Sequence, residues 1–378
     1  MRIYFIAGEA SGDLIGGKII TQLKALDQSI DCLGIGGSAM LSAGLRDLLF
    51  PMQEISLFGF FEILPQIFKL KKLIRKTIAD ILTVQPDIVV TIDSPGFCFR
   101  VIERIKALAP KISRIHVVAP SVWAYKPERA IKVASLYNHL LTLLPFEAPL
   151  FEKYGLSTTY MGHPIFEQDF SKPLHDDDST RYADLKDNTQ AARIVLTPGS
   201  RISEIKRHLP VFAKALKKLE VLPYCTIVAD NHLHHPLIHK ILEKHKLKYF
   251  ITQDKLAAFK AADLVLAKSG TNTLEIAACK TPMIVIYKIN MLSWWFWKCI
   301  SNIKYVSLIN IVADSQIVPE LLQNDATAHN LAKKIREFLS NHLKMQKQVE
   351  KSQEVLQKMG LNQTLKPSQI AAKTIILP

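Results

Sequence analysis

The stretch Ile3-Tyr4-Phe5-Ile6-Ala7-Gly8-Glu9-Ala10-Ser11-Gly12-Asp13 passes directly into the helical pattern Leu14–Leu26. A short apolar run, a glycine turn and an amphipathic run read as a strand, a loop and a helix in that order. The same succession returns at Ile88–Ile92 with Asp93-Ser94-Pro95-Gly96, and at Ile194–Thr197 with Pro198-Gly199-Ser200-Arg201. It returns again at Leu264–Ala267 with the loop Ser269-Gly270-Thr271-Asn272-Thr273-Leu274-Glu275. Further strands are expected at Cys32–Ile35, Arg114–Ala119, His139–Leu143, Thr158–Met161, Thr226–Ala229, Tyr249–Thr252 and Met283–Tyr287. Helical patterns lie between them, among them Ile67–Leu82, Val101–Leu108 and Pro210–Leu219, and the chain reads as helical after Pro319. Alternating strands and helices predict an α/β protein built on parallel sheets.

The alternation stops over about 165–192, where Pro173 and His175-Asp176-Asp177-Asp178 mark an irregular crossing. The expected division is a first Rossmann-like lobe over 1–165, a linker over 166–192, a second lobe over 193–345 and a helical tail over 346–378. A return of that tail to the first lobe is one option. Ligands of open α/β sheets bind beyond the carboxyl ends of the strands, so a crevice between the lobes is the expected site.

The chain has 378 residues, 48% of them hydrophobic and 22% charged, which excludes a disordered chain. Its 48 Lys and Arg against 34 Asp and Glu leave +14, and such an excess calls for an anionic partner. Five scattered cysteines without C-x-x-C spacing argue against a disulfide frame or zinc cluster, and His116, His163 and His234-His235 show no metal-ligand spacing. No metal is expected. The run Ile3–Ala7 is too short for a leader, and Met283–Val312 is interrupted by Lys288, Lys298 and Lys304. A cytoplasmic protein with at most peripheral membrane contact is the expectation.

Each loop has two readings from its residues. In Gly8, Glu9, Ser11 and Gly12, glycine permits close backbone approach and the helix start offers N–H groups, yet a plain turn is equally served. Asp93, ending a buried strand, suits a proton acceptor or the cap of the next helix. Gly199, Ser200 and Arg201 suit phosphate oxygens, or form a turn with a surface arginine. Ser269, Gly270, Thr271 and Thr273 suit a diphosphate or serve as a helix-capping sequence, while Glu275, one turn in, suits paired ribose hydroxyls, which capping alone does not explain. Phe58, Phe60, Phe61, Ile63, Leu64 and Phe68, followed by Lys69, Lys71, Lys72, Arg75 and Lys76, suit an anionic membrane interface or a core helix with the stripe Ile67, Leu70, Ile74, Ile78. Trp294-Trp295-Phe296-Trp297 is open to core, partner or membrane contact.

Taken in order, Gly8–Asp13, Asp93-Ser94-Pro95, Pro120-Ser121-Val122-Trp123-Ala124, Leu144-Pro145-Phe146-Glu147, Gly162-His163-Pro164, Pro198–Arg201 and Ser269–Glu275 resemble the lipid-A-disaccharide synthase family. The likeness continues through Pro282-Met283-Ile284-Val285, Ser307-Leu308 with Asn310, and Pro319-Glu320-Leu321-Leu322-Gln323. It implies a GT-B fold and an inverting transferase with no metal or other cofactor. The implied reaction joins UDP-2,3-diacylglucosamine to 2,3-diacylglucosamine 1-phosphate as a β-1,6 disaccharide 1-phosphate, on the cytoplasmic face of a Gram-negative inner membrane. No nucleic acid is implied. By the same resemblance Asp93 is the base, Arg201 binds donor phosphate, Glu275 and Asn310 lie on the nucleotide side, and the Phe58–Lys72 region docks on membrane. The chain departs from the family pattern at Gly96, Ile309 and Asp314, where a second Asp, a Pro and a Gly are usual. A peptidoglycan-precursor transferase or UDP-sugar epimerase of the same architecture, and a non-catalytic basic module for membrane or nucleic acid, are the other function classes that the residues suggest.

Overall fold

The structure, a computed structural model, describes residues 1–56, 63–172, 191–229, 231–291, 294–295, 301 and 303–377. The chain divides into two compact units, Met1–Glu167 with Asn362–Pro378, and Gln168–Leu361. The first unit carries β1 (Arg2–Ala7), β2 (Asp31–Ile35), β3 (Ile88–Ile92), β4 (Ser113–Val117), β5 (His139–Thr142) and β6 (Ser157–Tyr160). The second carries β7 (Arg193–Thr197), β8 (Tyr224–Val228), β9 (Tyr249–Thr252), β10 (Leu264–Lys268), β11 (Met283–Tyr287) and β12 (Glu320–Leu322). The sheet orders are β2-β1-β3-β4-β5-β6 and β12-β11-β10-β7-β8-β9, and every pairing is parallel. The expected α/β class with two parallel-sheet lobes is what folds.

The central strands are apolar throughout because both faces are covered. In β1, Tyr4 and Ile6 enter one core with Val89, Phe97 and Ile102, while Ile3, Phe5 and Ala7 enter another with Ile19, Ile20 and Leu23. The helix Ala10–Leu26 after β1 therefore lies on one face and the helix Pro95–Leu108 after β3 on the other. Since β1 and β3 are neighbours, the loops after them lie side by side at the carboxyl end of the sheet while their helices leave for opposite faces. The second sheet repeats this at β7 and β10. Helix Ile202–Leu216 packs on Ile194 and Leu196, whereas Asn272–Ala278 packs on helix His342–Lys358. All four quoted stretches thus begin at the two places where the strand order reverses.

Asp13 fastens the first loop. Its buried carboxylate accepts from the backbone N–H of Gly37, Ala39 and Met40 at 2.7, 3.0 and 3.0 Å, which ties helix Ala10–Leu26 to the short helix Ser38–Ser42.

The structure corrects several expectations. The tail expected over 346–378 is divided: helix His342–Lys358 belongs to the second unit, and only 362–378 joins the first. There helix Pro367–Ile376 buries Ala371, Ala372 and Ile375 in the core that holds Ile19 and Ile20, and Ser368 N–H donates to Glu167 at 2.7 Å. The helix expected from Pro210 begins at Ile202 and runs through the proline. Glu320–Leu322, expected to be helical, is the edge strand beside β11. Residues 173–190, within the expected linker, lie outside the described residues.

Asp13→Ala leaves three inward N–H groups without their acceptor, each worth about 1–3 kcal/mol when orphaned. The variant should unfold at least about 2 kcal/mol more easily in a urea titration; a loss within about 0.5 kcal/mol would mean that water replaces the carboxylate.

Candidate functional site

In the first unit, Asp93 and Ser94 follow β3 at φ 52° and 46°. Two successive non-glycine residues in the left-handed region hold roughly 1–3 kcal/mol of strain each, which the surrounding contacts must hold in place. One of these is Asp93 N–H donating to Val117 O at 3.0 Å, which extends the β3–β4 ladder by a residue. Burial raises the Asp93 carboxyl above its ordinary value, against an opposing hydrogen bond from the Ser94 backbone. Gly8 makes room for this turn: a Cβ there would lie 2.5 Å from Ser94 Oγ and 2.9 Å from Ile55. Gly12 is buried against Ile92, while Glu9 and Ser11 are exposed. Gly96 is the second residue of helix Pro95–Leu108, a Cβ there would meet only Arg100 Nη1 at 4.0 Å, and no second acid accompanies Asp93 at this position.

Beside Asp93, the loop after β4 begins at Val118, whose φ of 75° is costly for a β-branched residue. Glu147 pins this region. Its carboxyl accepts from Trp123 Nε1–H at 3.2 Å and from the N–H of Leu143 and Leu144 at 3.1 and 2.9 Å. Burial outweighs these donors and pushes Glu147 up to about 7.

In the second unit, a cavity of about 270 Å³ opens at the β7/β10 reversal, lined by Gly199, Ser200, Gly270, Thr271 and Glu275 from the sequence reading. Glu204, Lys255 and Lys268, which that reading missed, line it too. Glu275 is buried at the foot of helix Asn272–Ala278 and ion-pairs with Lys255. Glu204 Oε2 accepts from Ser200 N–H at 3.0 Å and Arg201 N–H at 3.4 Å, and its Oε1 lies 3.0 Å from Lys268 Nζ. Burial opposes ionisation of Glu204, but Lys268 and these N–H groups outweigh it and hold the carboxyl below its usual range. Asn272 Nδ2–H donates to Thr197 Oγ1 at 2.8 Å, locking the two loops together.

Other expected residues stand behind the cavity. Thr273 donates to Gly270 O at 2.8 Å and Ser269 to Val306 O at 2.6 Å. Asn310 is fully buried; its amide donates to Val318 O and Glu320 and accepts from Ile317 and Val318 N–H, all at 2.7–2.8 Å. That amide has all its hydrogen bonds within the protein, and it braces the segment that carries Val306 and Glu320. Arg201 is exposed and contributes no side chain to the cavity lining. Ile309 is the second residue of helix Leu308–Ala313, where an N–H needs no intrahelical partner and proline would fit equally. Asp314 is that helix's left-handed cap at φ 44°, the conformation for which glycine is usual.

Phe58, Phe60 and Phe61 lie outside the described residues. Ile63 and Leu64 open helix Ile63–Val84, in which Leu70, Ile74 and Ile78 pack on the first core. Phe68 points away, 76% exposed. Lys69 pairs with Glu54 at 3.3 Å and Lys76 donates to Leu49 O at 3.1 Å, while Lys71, Lys72 and Arg75 are exposed. Trp295 is 70% exposed. Among the described residues no helix is long and apolar enough to cross a membrane, and no group of three or more His, Cys, Asp or Glu is placed to hold a metal.

The family model described as lipid-A-disaccharide synthetase matches residues 3–374. The chain belongs to the lipid-A-disaccharide synthetase family. It is 47% identical over 379 residues to the lipid-A-disaccharide synthase of Rickettsia felis, covering 99% of this chain and 95% of that protein. To the enzyme of that name from Rickettsia prowazekii it is 45% identical, covering 99% and 98%. Among solved structures it is similar in fold to Acinetobacter baumannii MurG, with TM-score 0.60, 13% identity and coverage of 100% and 99%. It is likewise similar to a Neisseria meningitidis UDP-GlcNAc 2-epimerase bound to UDP-GlcNAc, with TM-score 0.65, 12% identity and full coverage of both chains. At such identities these two likenesses speak for the GT-B fold alone.

A Glu147 value raised from 4.5 to about 7 means that the folded protein keeps a proton which the unfolded chain releases across that window. The stability contributed by this proton is present below about pH 4.5 and is lost as pH rises toward 7. Relative to Glu147→Gln, the wild type should therefore lose up to about 3 kcal/mol between about pH 5 and about pH 7.5. Chemical unfolding of both proteins at the two pH values measures this; a constant difference would mean that Glu147 is ionised throughout.

Proposed function

We propose that this chain transfers the sugar of UDP-2,3-diacylglucosamine to the 6-hydroxyl of 2,3-diacylglucosamine 1-phosphate. The products are the β-1,6 disaccharide 1-phosphate and UDP. The observation that carries this is the family match over residues 3–374, together with relatives of 45–47% identity that bear the synthase name.

The second unit supplies the donor side. The nucleotide's diphosphate meets the N–H groups of the Ser200 and Gly270-Thr271 loops, with Arg201 near the start of helix Ile202–Leu216. Glu275 takes the ribose hydroxyls from inside the cavity. The first unit supplies Asp93, whose carboxyl burial raises above its ordinary value, the direction that suits a general base. As the acceptor's 6-oxygen bonds to the anomeric carbon, its proton passes to Asp93 and the bond to the diphosphate breaks. One displacement inverts the centre, so a single acid suffices and the lack of an acid at Gly96 is no obstacle. Positive charge at the helix start and on Arg201 stabilises the departing diphosphate. No further cofactor enters this scheme.

UDP release should require both the donor and the 1-phosphate lipid. Asp93→Asn should cut turnover by about 10²–10⁴ with UDP affinity unchanged, and Glu275→Ala should weaken UDP by roughly 1–3 kcal/mol in calorimetry. Acceptor-independent UDP release, or full turnover by folded Asp93→Asn, would refute the scheme.

The exposed Phe68 beside Lys71, Lys72 and Arg75 favours peripheral docking on the anionic cytoplasmic face of an inner membrane, where both lipid substrates reside. Because Phe68 lies outside the core, Phe68→Ser should leave the melting temperature unchanged while reducing sedimentation with vesicles containing phosphatidylglycerol. Unchanged sedimentation, for a protein that binds these vesicles, would move docking to another surface.

A further inference from the structure

Resting on that reading of the second unit, we infer that Lys268 is a binding residue for the diphosphate of the nucleotide, held in place by Glu204 until the anion arrives. Lys268 ends β10, directly before the Ser269-Gly270-Thr271 loop, and lines the cavity with Ser200 and Glu275. Its ammonium is largely sheltered, with the side chain 22% exposed, and its ion-pair partner is Glu204 at 3.0 Å. The other oxygen of Glu204 accepts from Ser200 N–H at 3.0 Å and more weakly from Arg201 N–H. One carboxylate therefore engages a cation and the free N–H groups of a helix start together, which are the groups an incoming phosphate needs.

The backbone is shaped for this carboxylate. Gly199 has φ 119°, and a Cβ at that position would stand 2.4 Å from Glu204 Oε2. His208, one turn further along the helix, keeps a fixed tautomer: Nδ1–H donates to Glu204 O at 2.9 Å, and Nε2 accepts from Lys288 N–H at 3.1 Å. The Glu204 backbone is thus anchored while its side chain, 16% exposed, reaches the cavity. A diphosphate carries more charge than a carboxylate and would be repelled by Glu204 in a partly dry site. It therefore displaces the carboxylate from Ser200 N–H and takes over Lys268. Before binding, the pair keeps the lysine from standing unpaired and holds its side chain toward the loop.

Calorimetric titration of the full chain with UDP and with UMP separates the alternatives. Lys268→Gln should weaken UDP about tenfold or more while changing UMP by less than about threefold, since loss of one charge-assisted contact bears on the second phosphate. Lys268→Arg, which keeps the charge, should stay within about threefold of wild type for UDP. Glu204→Gln removes the competing anion and should bind UDP as tightly as wild type or more tightly. The inference is overturned if Lys268→Gln binds UDP like wild type, if it loses UDP and UMP equally, or if Glu204→Gln weakens UDP as much as Lys268→Gln does. Wild-type protein that binds no UDP would overturn the nucleotide reading as well. Loss of UDP in Glu275→Ala with none in Lys268→Gln would overturn the role of Lys268 alone.

Discussion

Everything that positions chemistry in this protein depends on one constraint: a parallel strand must be followed by a helix that packs back on the sheet, and neighbouring strands can send their helices to opposite faces. At β1/β3 and again at β7/β10 they do so. The strands stay hydrogen-bonded up to their ends, and the helices beyond them leave for opposite faces. Backbone N–H groups at the two helix starts then lie at the gap between those helices, where Asp93 still donates its N–H to Val117 O of the sheet. Asp93 owes its place to the first gap, and the cavity of Ser200, Gly270 and Glu275 to the second.

The two gaps are stabilised differently. The first is built on strain, with Asp93, Ser94 and Val118 all at positive φ and all without glycine's freedom. Contacts around them hold the conformation: the vacancy at Gly8, the ladder bond from Asp93 to Val117, and the Glu147 carboxyl on the following loops. The second is built on charge. Glu204 with Lys268 and Glu275 with Lys255 place two ion pairs in one small cavity, and each pair joins an element of one loop to a neighbouring strand end or helix. Charge in a cavity can be re-partnered by a charged ligand, whereas a strained turn is suited to holding one group still.

The parallel-sheet architecture was legible because apolar runs followed by glycine loops admit few other folds, and the loops that carry Asp93, Ser200 and Glu275 could be picked out as strand ends. Three things were hidden, each for a physical reason. Pro210 reads as a helix start, yet here the helix tolerates it internally, so the sequence pattern puts Glu204 before the helix and hides its capping position in the first turn. Lys268 reads as a residue at the end of a strand, and only the folded structure, with its side chain lining the cavity and paired with Glu204, shows where it points. Asn310 is placed on the nucleotide side by the family resemblance alone, and the sequence does not show that its side-chain amide makes four hydrogen bonds to residues up to ten positions away. Sequence patterning reports where the chain turns; which polar groups find partners inside the fold depends on tertiary distances.

The central claim is that a uridine diphosphate sits at the β7/β10 reversal of the second unit. A crystal structure of the protein grown with UDP tests it most directly. The expected result is nucleotide density in the cavity, with the ribose hydroxyls on Glu275 and the phosphates against the N–H groups of the Ser200 and Thr271 loops. Density for UDP at any other place, with this cavity still closed by its own ion pairs, would contradict it.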